Sequence, residues 1–207
     1  MPSKSIRPAI TRRSAIAAAT GLAASACAGN YARAQLDGMP PAADAIRRSR
    51  PAPAPNLTFV DQGGRKLSLA NYRGSGLVVN VWATWCGPCV AEFPTLAALA
   101  PRLAGAGILV LPISIDADGL KPVQQFYASH SVRNLPILLD PNGNSPNTLN
   151  APGIPVTIIV NPAGQLVGRT DGAADWNNAR TIDLLTRLAG RTPAAMPTQA
   201  QTGFQPI

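Results

Sequence analysis

An apolar run interrupted only by Asn80, over residues 77–82, reads as a buried central strand. A stretch with helical periodicity, 90–103, follows it closely and predicts a helix over 88–104, bent at Pro94. Upstream, the segments 57–60 and 66–69 flank Asp61-Gln62-Gly63-Gly64, the pattern of a hairpin. Downstream, 108–115 is a second apolar strand ending at Asp116, and 123–130 is a helix. A short added strand over 136–139 runs into the turn Asp140-Pro141-Asn142-Gly143. Residues 156–160 form a third core strand, which Asn161-Pro162-Ala163-Gly164 turns into 165–169. An amphipathic helix over 178–188 closes the pattern. Strands alternating with helices, then a terminal hairpin and helix, give an α/β class. The expected architecture is a mixed central sheet flanked by helices on both faces, with an added N-terminal β-hairpin.

The pattern is absent at both ends. Residues 1–34 carry five basic residues and no acid, with Arg12-Arg13 before a short apolar run over 15–26 and Ala32-Arg33-Ala34 as a small-x-small cleavage site. This is the layout of an export signal, Tat-like or Sec, and the run is too short for a membrane span. Lipidation at Cys27, or an uncleaved N-terminal anchor, are the other expectations. Residues 35–56 are rich in Pro, Ala and Arg and read as a flexible or extended spacer, and 191–207 as a disordered tail. The folded domain is therefore expected over 57–190. The formal charge of the whole chain is +8, but without the first 34 residues thirteen basic residues face ten acidic ones. The basicity belongs largely to the leader, and no basic stripe with aromatics points to nucleic acid.

The chemistry sits between the central strand and its helix, in Trp85-Cys86-Gly87-Pro88-Cys89. A C-x-x-C pair at a strand-to-helix junction marks a redox dithiol. The unsatisfied N–H groups and positive dipole end of a helix N-terminus stabilise a thiolate there. The spacing puts the second sulfur one turn further in, so the pair can close and open a disulfide with little backbone movement. With cleavage after Ala34, these would be the only cysteines left, which suits redox work in an oxidising compartment. A purely stabilising staple fits poorly, because so short a loop removes little unfolded-state entropy. A metal site also fits poorly: two cysteines make an incomplete zinc set, and His130 is the only histidine. Late in a helix, His130 is expected to be structural or exposed. Glu92, three positions after Cys89, shares its helix face and is a candidate for tuning the thiols and shuttling a proton.

Together these features resemble the thioredoxin fold and, within it, the TlpA/ResA/DsbE-like exported reductases. The resemblance rests on three strings: Val79-Asn80-Val81-Trp82-Ala83-Thr84-Trp85-Cys86-Gly87-Pro88-Cys89 with Glu92 and Pro94, Gly153-Ile154-Pro155-Val156-Thr157, and Val160-Asn161-Pro162-Ala163-Gly164. Asp171-Gly172-Ala173-Ala174-Asp175-Trp176 looks most like the TlpA branch. The resemblance implies that Cys86 attacks a substrate disulfide, Cys89 resolves the mixed disulfide, and Pro155 is cis and faces the dithiol. Trp85, Gly87, Pro88, Ile154 and Pro155 are then the substrate-contacting residues, Trp82 being core. Thioredoxins usually place a buried Asp where this chain has Asn80, so a proton-carrying role would fall to Glu92.

The same resemblance implies a periplasmic thiol:disulfide oxidoreductase acting mainly as a reductant. It needs no cofactor beyond the Cys86–Cys89 disulfide and no metal. Its electron donor would be a membrane thiol transporter of the DsbD/CcdA type. Its clients would be apocytochrome c or copper-site proteins of cytochrome oxidase assembly, with the protein itself a monomer. Two other readings compete. A copper-binding module would bind Cu(I) tightly without turnover, and a thioredoxin-like peroxidase would want a Thr and an Arg beside its reactive cysteine.

Overall fold

The computed structural model describes residues 38–190. The expected export signal, Cys27 and the 191–207 tail lie outside the described residues. Within them the chain forms α1 (Ala42–Ala45), β1 (Arg47–Pro53), β2 (Thr58–Asp61), β3 (Lys66–Ser68), β4 (Gly76–Trp82), α2 (Gly87–Leu103), β5 (Ile108–Ser114), α3 (Leu120–Ser129), β6 (Leu138–Leu139), α4 (Ser145–Thr148), β7 (Val156–Val160), β8 (Gln165–Asp171) and α5 (Ala179–Ala189). A 3-10 turn, Leu69–Tyr72, links β3 to β4.

The strands make one mixed sheet in the order β1-β8-β7-β4-β5-β6-β2-β3. β4, β5 and β6 run parallel, and the other neighbours pair antiparallel. Strand β4 lies near the middle and is buried at every position. Its side chains alternate between two cores, as the two-residue period of a strand requires. Val78 and Trp82 join the core under α2, α3 and α5. Leu77, Val79 and Val81 join the opposite core, covered by Leu57, Phe59, Leu69 and Leu149. Among the described residues, helical cover on that second face comes from the 3-10 turn and the short α4.

Gly76 opens β4 where α5 ends. A Cβ there would stand 1.9 Å from the Ala189 carbonyl oxygen, so only glycine lets the strand and the helix end approach. Helix α2 continues through Pro94 and Pro101. Pro94 is exposed, so its missing N–H falls on the outer side of the helix.

The main correction to the sequence reading is the stretch expected as a spacer over 35–56. From Pro41 onward it is built into the fold. Ala42 and Ile46 are buried, Ala42 N–H donates to the Asp175 carbonyl at 2.8 Å, and β1 pairs antiparallel with β8. The reason it read as spacer is physical. All seven residues of β1 are exposed, so the strand shows no apolar alternation. Its prolines are tolerated because β1 is an edge strand, where an absent N–H costs no ladder bond. The folded unit thus begins well before residue 57.

Candidate active site

Strand β4 delivers the chain to the site, and the connection Ala83–Thr84–Trp85 is fixed by a carboxylate. Asp116, 3% exposed just past β5, accepts from Thr84 N–H at 3.0 Å, from the Thr84 hydroxyl at 2.5 Å and from the Ser114 hydroxyl at 2.6 Å. Buried carboxylates need such donors, and here they anchor the residues that lead into Cys86. The sequence marked Asp116 only as a strand end.

Cys86 is the N-cap of α2, and its sulfur accepts from Cys89 N–H at 3.3 Å. Pro88 follows in the first turn, where its missing N–H is one of the helix's own unpaired donors. Cys86 and Cys89 are joined in a disulfide with their Cα atoms 5.2 Å apart. Cys89 is fully buried, and Cys86 keeps 6% exposure. The order of accessibility matches the expected division of labour, although Cys86 is less open than an exposed attacking thiol implies. Around it the surface is open: Trp85 is 68% exposed, and Gly87 and Pro88 are exposed.

The Ile154–Pro155 peptide is cis, as the sequence predicts. The Ile154 carbonyl oxygen lies 3.7 Å from Cys86 Sγ. In the disulfide that sulfur carries no hydrogen, so this is a contact. Neither the N–H nor the C=O of Ile154 has a backbone partner among the described residues. A surface hollow of about 580 Å³ between the β2–β3 hairpin and the 139–144 loop shares no residue with the disulfide. Trp85, Gly87 and Pro88 thus form an exposed surface beside the disulfide.

Glu92 is wholly buried one turn beyond Cys89. Three donors hold it. Asn80 Nδ2 donates to Oε1 at 2.8 Å, while Ala174 N–H and the Trp176 indole N–H donate to Oε2, each at 3.0 Å. Asn80 Nδ2 also donates to the Thr157 hydroxyl at 2.9 Å, across the β4–β7 register that sets these two residues opposite each other. Burial pushes the Glu92 carboxyl up to about 7, and the Trp176, Ala174 and Asn80 donors pull against that rise. A carboxyl at that level can take and release a proton near neutral pH. The sequence named Glu92 and Asn80 but not their holders. Trp176 and Ala174 stand more than 80 positions away, and only the fold brings them in.

The remaining residues fall where the sequence placed them. Trp82 is fully buried, with its ring centroid 4.3 Å from Phe93 and 4.9 Å from Phe126. His130 stacks on Phe126 at 4.0 Å, at the end of α3, and takes no part in the site. Among the described residues no cluster of three or more His, Cys, Asp or Glu side chains could hold a metal ion.

Comparison with known proteins agrees with this geometry. The family model described as AhpC/TSA family matches residues 51–169, more than half of the chain. The thiol-disulfide oxidoreductase ResA of Bacillus subtilis (strain 168) is 30% identical over 114 residues, covering 55% of this chain and 63% of that protein. The chain thus spans less than two thirds of that relative's length. A crystal structure of a thiol:disulfide interchange protein, thioredoxin family protein, from Chlorobium tepidum TLS superposes with a TM-score of 0.54 at 24% identity, covering 68% of this chain and 99% of the other. A secreted thiol-disulfide isomerase from Corynebacterium glutamicum superposes with a TM-score of 0.57 at 20% identity, covering 70% and 89%. At these identities the two structures establish the fold alone, which is thioredoxin-like. On the family match and the fold together, the chain belongs to the AhpC/TSA family.

Proposed function

We propose that the protein is an exported thiol:disulfide oxidoreductase that works mainly as a reductant of client proteins. The observation that carries this reading is the Cys86–Cys89 disulfide on the first turn of α2, with the inner residue fully buried and the outer one 6% exposed beside the exposed Trp85, Gly87 and Pro88. The N-terminal sequence pattern supports export, and the name of the Bacillus relative supports the reaction class.

In the reduced protein the Cys86 thiolate is stabilised by Cys89 N–H and the positive end of α2. It attacks one sulfur of a client disulfide. A Cys86–client bond forms, the client S–S bond breaks, and the second client sulfur leaves as a thiolate that takes a proton from water. Cys89 then loses its proton to Glu92, and its thiolate attacks Cys86 Sγ. The Cys86–Cys89 bond closes, the client sulfur leaves with its electron pair, and the client is released with both sulfurs reduced. A neighbouring carboxylate raises thiol pKa values and opposes the helix dipole, which keeps the pair from becoming a strong oxidant.

We place the electron source in a membrane thiol transporter of the DsbD/CcdA type, and the clients among apocytochrome c or copper-site proteins. The resemblance of the dithiol region to the TlpA/ResA/DsbE reductases supports this. A peroxidase reading gains nothing from the site, because the Thr84 hydroxyl is committed to Asp116. Among the described residues no arginine hydrogen-bonds to either cysteine or to Thr84. Insulin reduction driven by dithiothreitol tests the reading. Catalysed precipitation of the insulin B chain, lost in Cys86→Ser, is expected. A reduced protein that titrates Cu(I) tightly and leaves insulin intact would put the copper-binding module in its place.

A further inference from the structure

The sequence singled out the segment 171–176, yet the dithiol cycle assigns nothing to its tryptophan. Trp176 is fully buried, and its indole N–H ends on the Glu92 carboxylate. A carboxylate offers about four lone-pair positions, two on each oxygen. Ala174 N–H and Trp176 Nε1–H occupy both positions on Oε2. Both are obligate donors and cannot accept a hydrogen bond from a protonated oxygen. Asn80 Nδ2 occupies one position on Oε1, which leaves a single open position, also on Oε1.

We propose that Trp176 is a positioning residue for proton transfer: with Ala174 N–H it saturates Glu92 Oε2, so that the proton exchanged with the dithiol resides on Oε1. This rests on the oxidoreductase reading above and deepens it. The step balances: the Cys89 S–H bond breaks, the sulfur keeps the electron pair, and an O–H bond forms at Oε1. A proton on Oε2 would have to displace one of two buried donors and leave it unpaired, an expensive alternative. The contrast with Trp82 sharpens the point. That indole is equally buried, and its N–H has no hydrogen-bond partner among the described residues.

The surroundings leave Glu92 to these donors. Its own helix brings Cys86 and Cys89, β4 and β7 bring the uncharged Asn80 and Thr157, and β5 leads to Asp116, which is taken up by Thr84 and Ser114. From α3, Tyr127 donates to the Pro136 carbonyl. In the 171–178 segment Asp171 pairs with Arg47 and Arg169, and Asp175 accepts from Asn177 N–H. On α5, Arg180 pairs with Asp44 and Arg187 with Asp183.

The chain has three tryptophans, so an ¹⁵N-labelled full-length protein gives three indole N–H signals. The Trp176 signal, assigned by its loss in Trp176→Phe, is expected to move with pH. Its midpoint should equal that of the Glu92 side-chain carboxyl ¹³C signal, near 7. In Glu92→Gln it should stay still. Trp176→Phe removes a donor to the charged form, so the Glu92 midpoint should rise by about one pH unit. The pH profile of mixed-disulfide resolution should rise with it. A Trp176 indole that stays fixed while the Glu92 carboxyl titrates overturns the proposal, as does an unchanged Glu92 midpoint in a folded Trp176→Phe. Should that variant not fold, the wild-type and Glu92→Gln titrations decide. Insulin turnover measured alongside separates the two readings. Absent turnover with a moving indole counts against the oxidoreductase alone, and normal turnover with a still indole counts against the clamp alone.

Discussion

Glu92 and Phe93 are consecutive residues of α2, and within one core they meet neighbours of different chemistry. Phe93 packs into an aromatic group with Trp82, Phe126 and Tyr127, its ring centroid 4.3 to 5.6 Å from theirs. Such a group gains from area and from edge-to-face geometry, and it asks for no particular protonation state. Glu92 enters a pocket of donors, where every hydrogen bond is specific and the carboxyl is held far above its ordinary value by burial. The first set of neighbours stabilises the fold. The second gives up stability to keep a proton acceptor one turn from Cys89. Two adjacent positions of one helix thus divide the work, one building the domain and the other serving the disulfide.

Removing what the polar side serves gives the largest effect: Cys86→Ser takes disulfide exchange to background while thermal unfolding changes little. On the apolar side, Phe93→Ala should cost about 3–5 kcal/mol in urea unfolding, by the same amount at pH 5 and pH 8. On the polar side the effect depends on pH. Glu92 has a folded value near 7 against an ordinary 4.5, so the folded state holds a proton that the unfolded state releases between those two values. Its contribution is greatest at low pH and is lost as pH rises from the ordinary value through 7, a change of about 3 kcal/mol. Glu92→Gln should remove that slope, with urea midpoints at pH 5 and pH 8 drawing together, and should slow release of client from the mixed disulfide.

Two smaller comparisons refine this. Asp116→Ala frees the Thr84 N–H and should cost about 1–3 kcal/mol. Exchange should slow with it, because the residues that carry Cys86 lose their anchor. Asp171 is the surface counterpart of Glu92. Side-chain hydrogen bonding to Arg169, with a further bond to Arg47, holds its carboxyl below the ordinary value. Its contribution is present above the ordinary carboxylate range and fades as pH falls through the lowered value, the opposite slope to Glu92. Asp171→Asn should cost about 1 kcal/mol at pH 7 and nothing once the carboxylate is protonated, as read by unfolding at both pH values.

What the sequence revealed and what it hid divide along the same physical line. Strand β4, helix α2 and the β2–β3 hairpin were legible because each is written in consecutive residues: an apolar run, a helical period, a glycine turn. The cis proline was legible only through the resemblance of Gly153-Ile154-Pro155-Val156-Thr157 to the family's loop. Cys86, Cys89 and Glu92 were legible because one helix face carries them. Strand β1 was hidden because an edge strand with exposed arginines and prolines has no periodicity to read. The Trp176 and Ala174 donors, and the Asp116 anchor of Thr84, were hidden because hydrogen bonds between distant segments leave no local pattern. Asn80 marks the boundary: the sequence set it within the buried strand, and the fold shows that it donates to Glu92.

The account stands most directly on which sulfur meets the client. Reduced Cys89→Ala and Cys86→Ala variants, each mixed with a disulfide-bonded peptide and quenched with acid, can be mapped by mass spectrometry. A rapid mixed disulfide on Cys86 in the first, and almost none on Cys89 in the second, is the predicted result. Equal adducts on both cysteines, or none on Cys86, would contradict it.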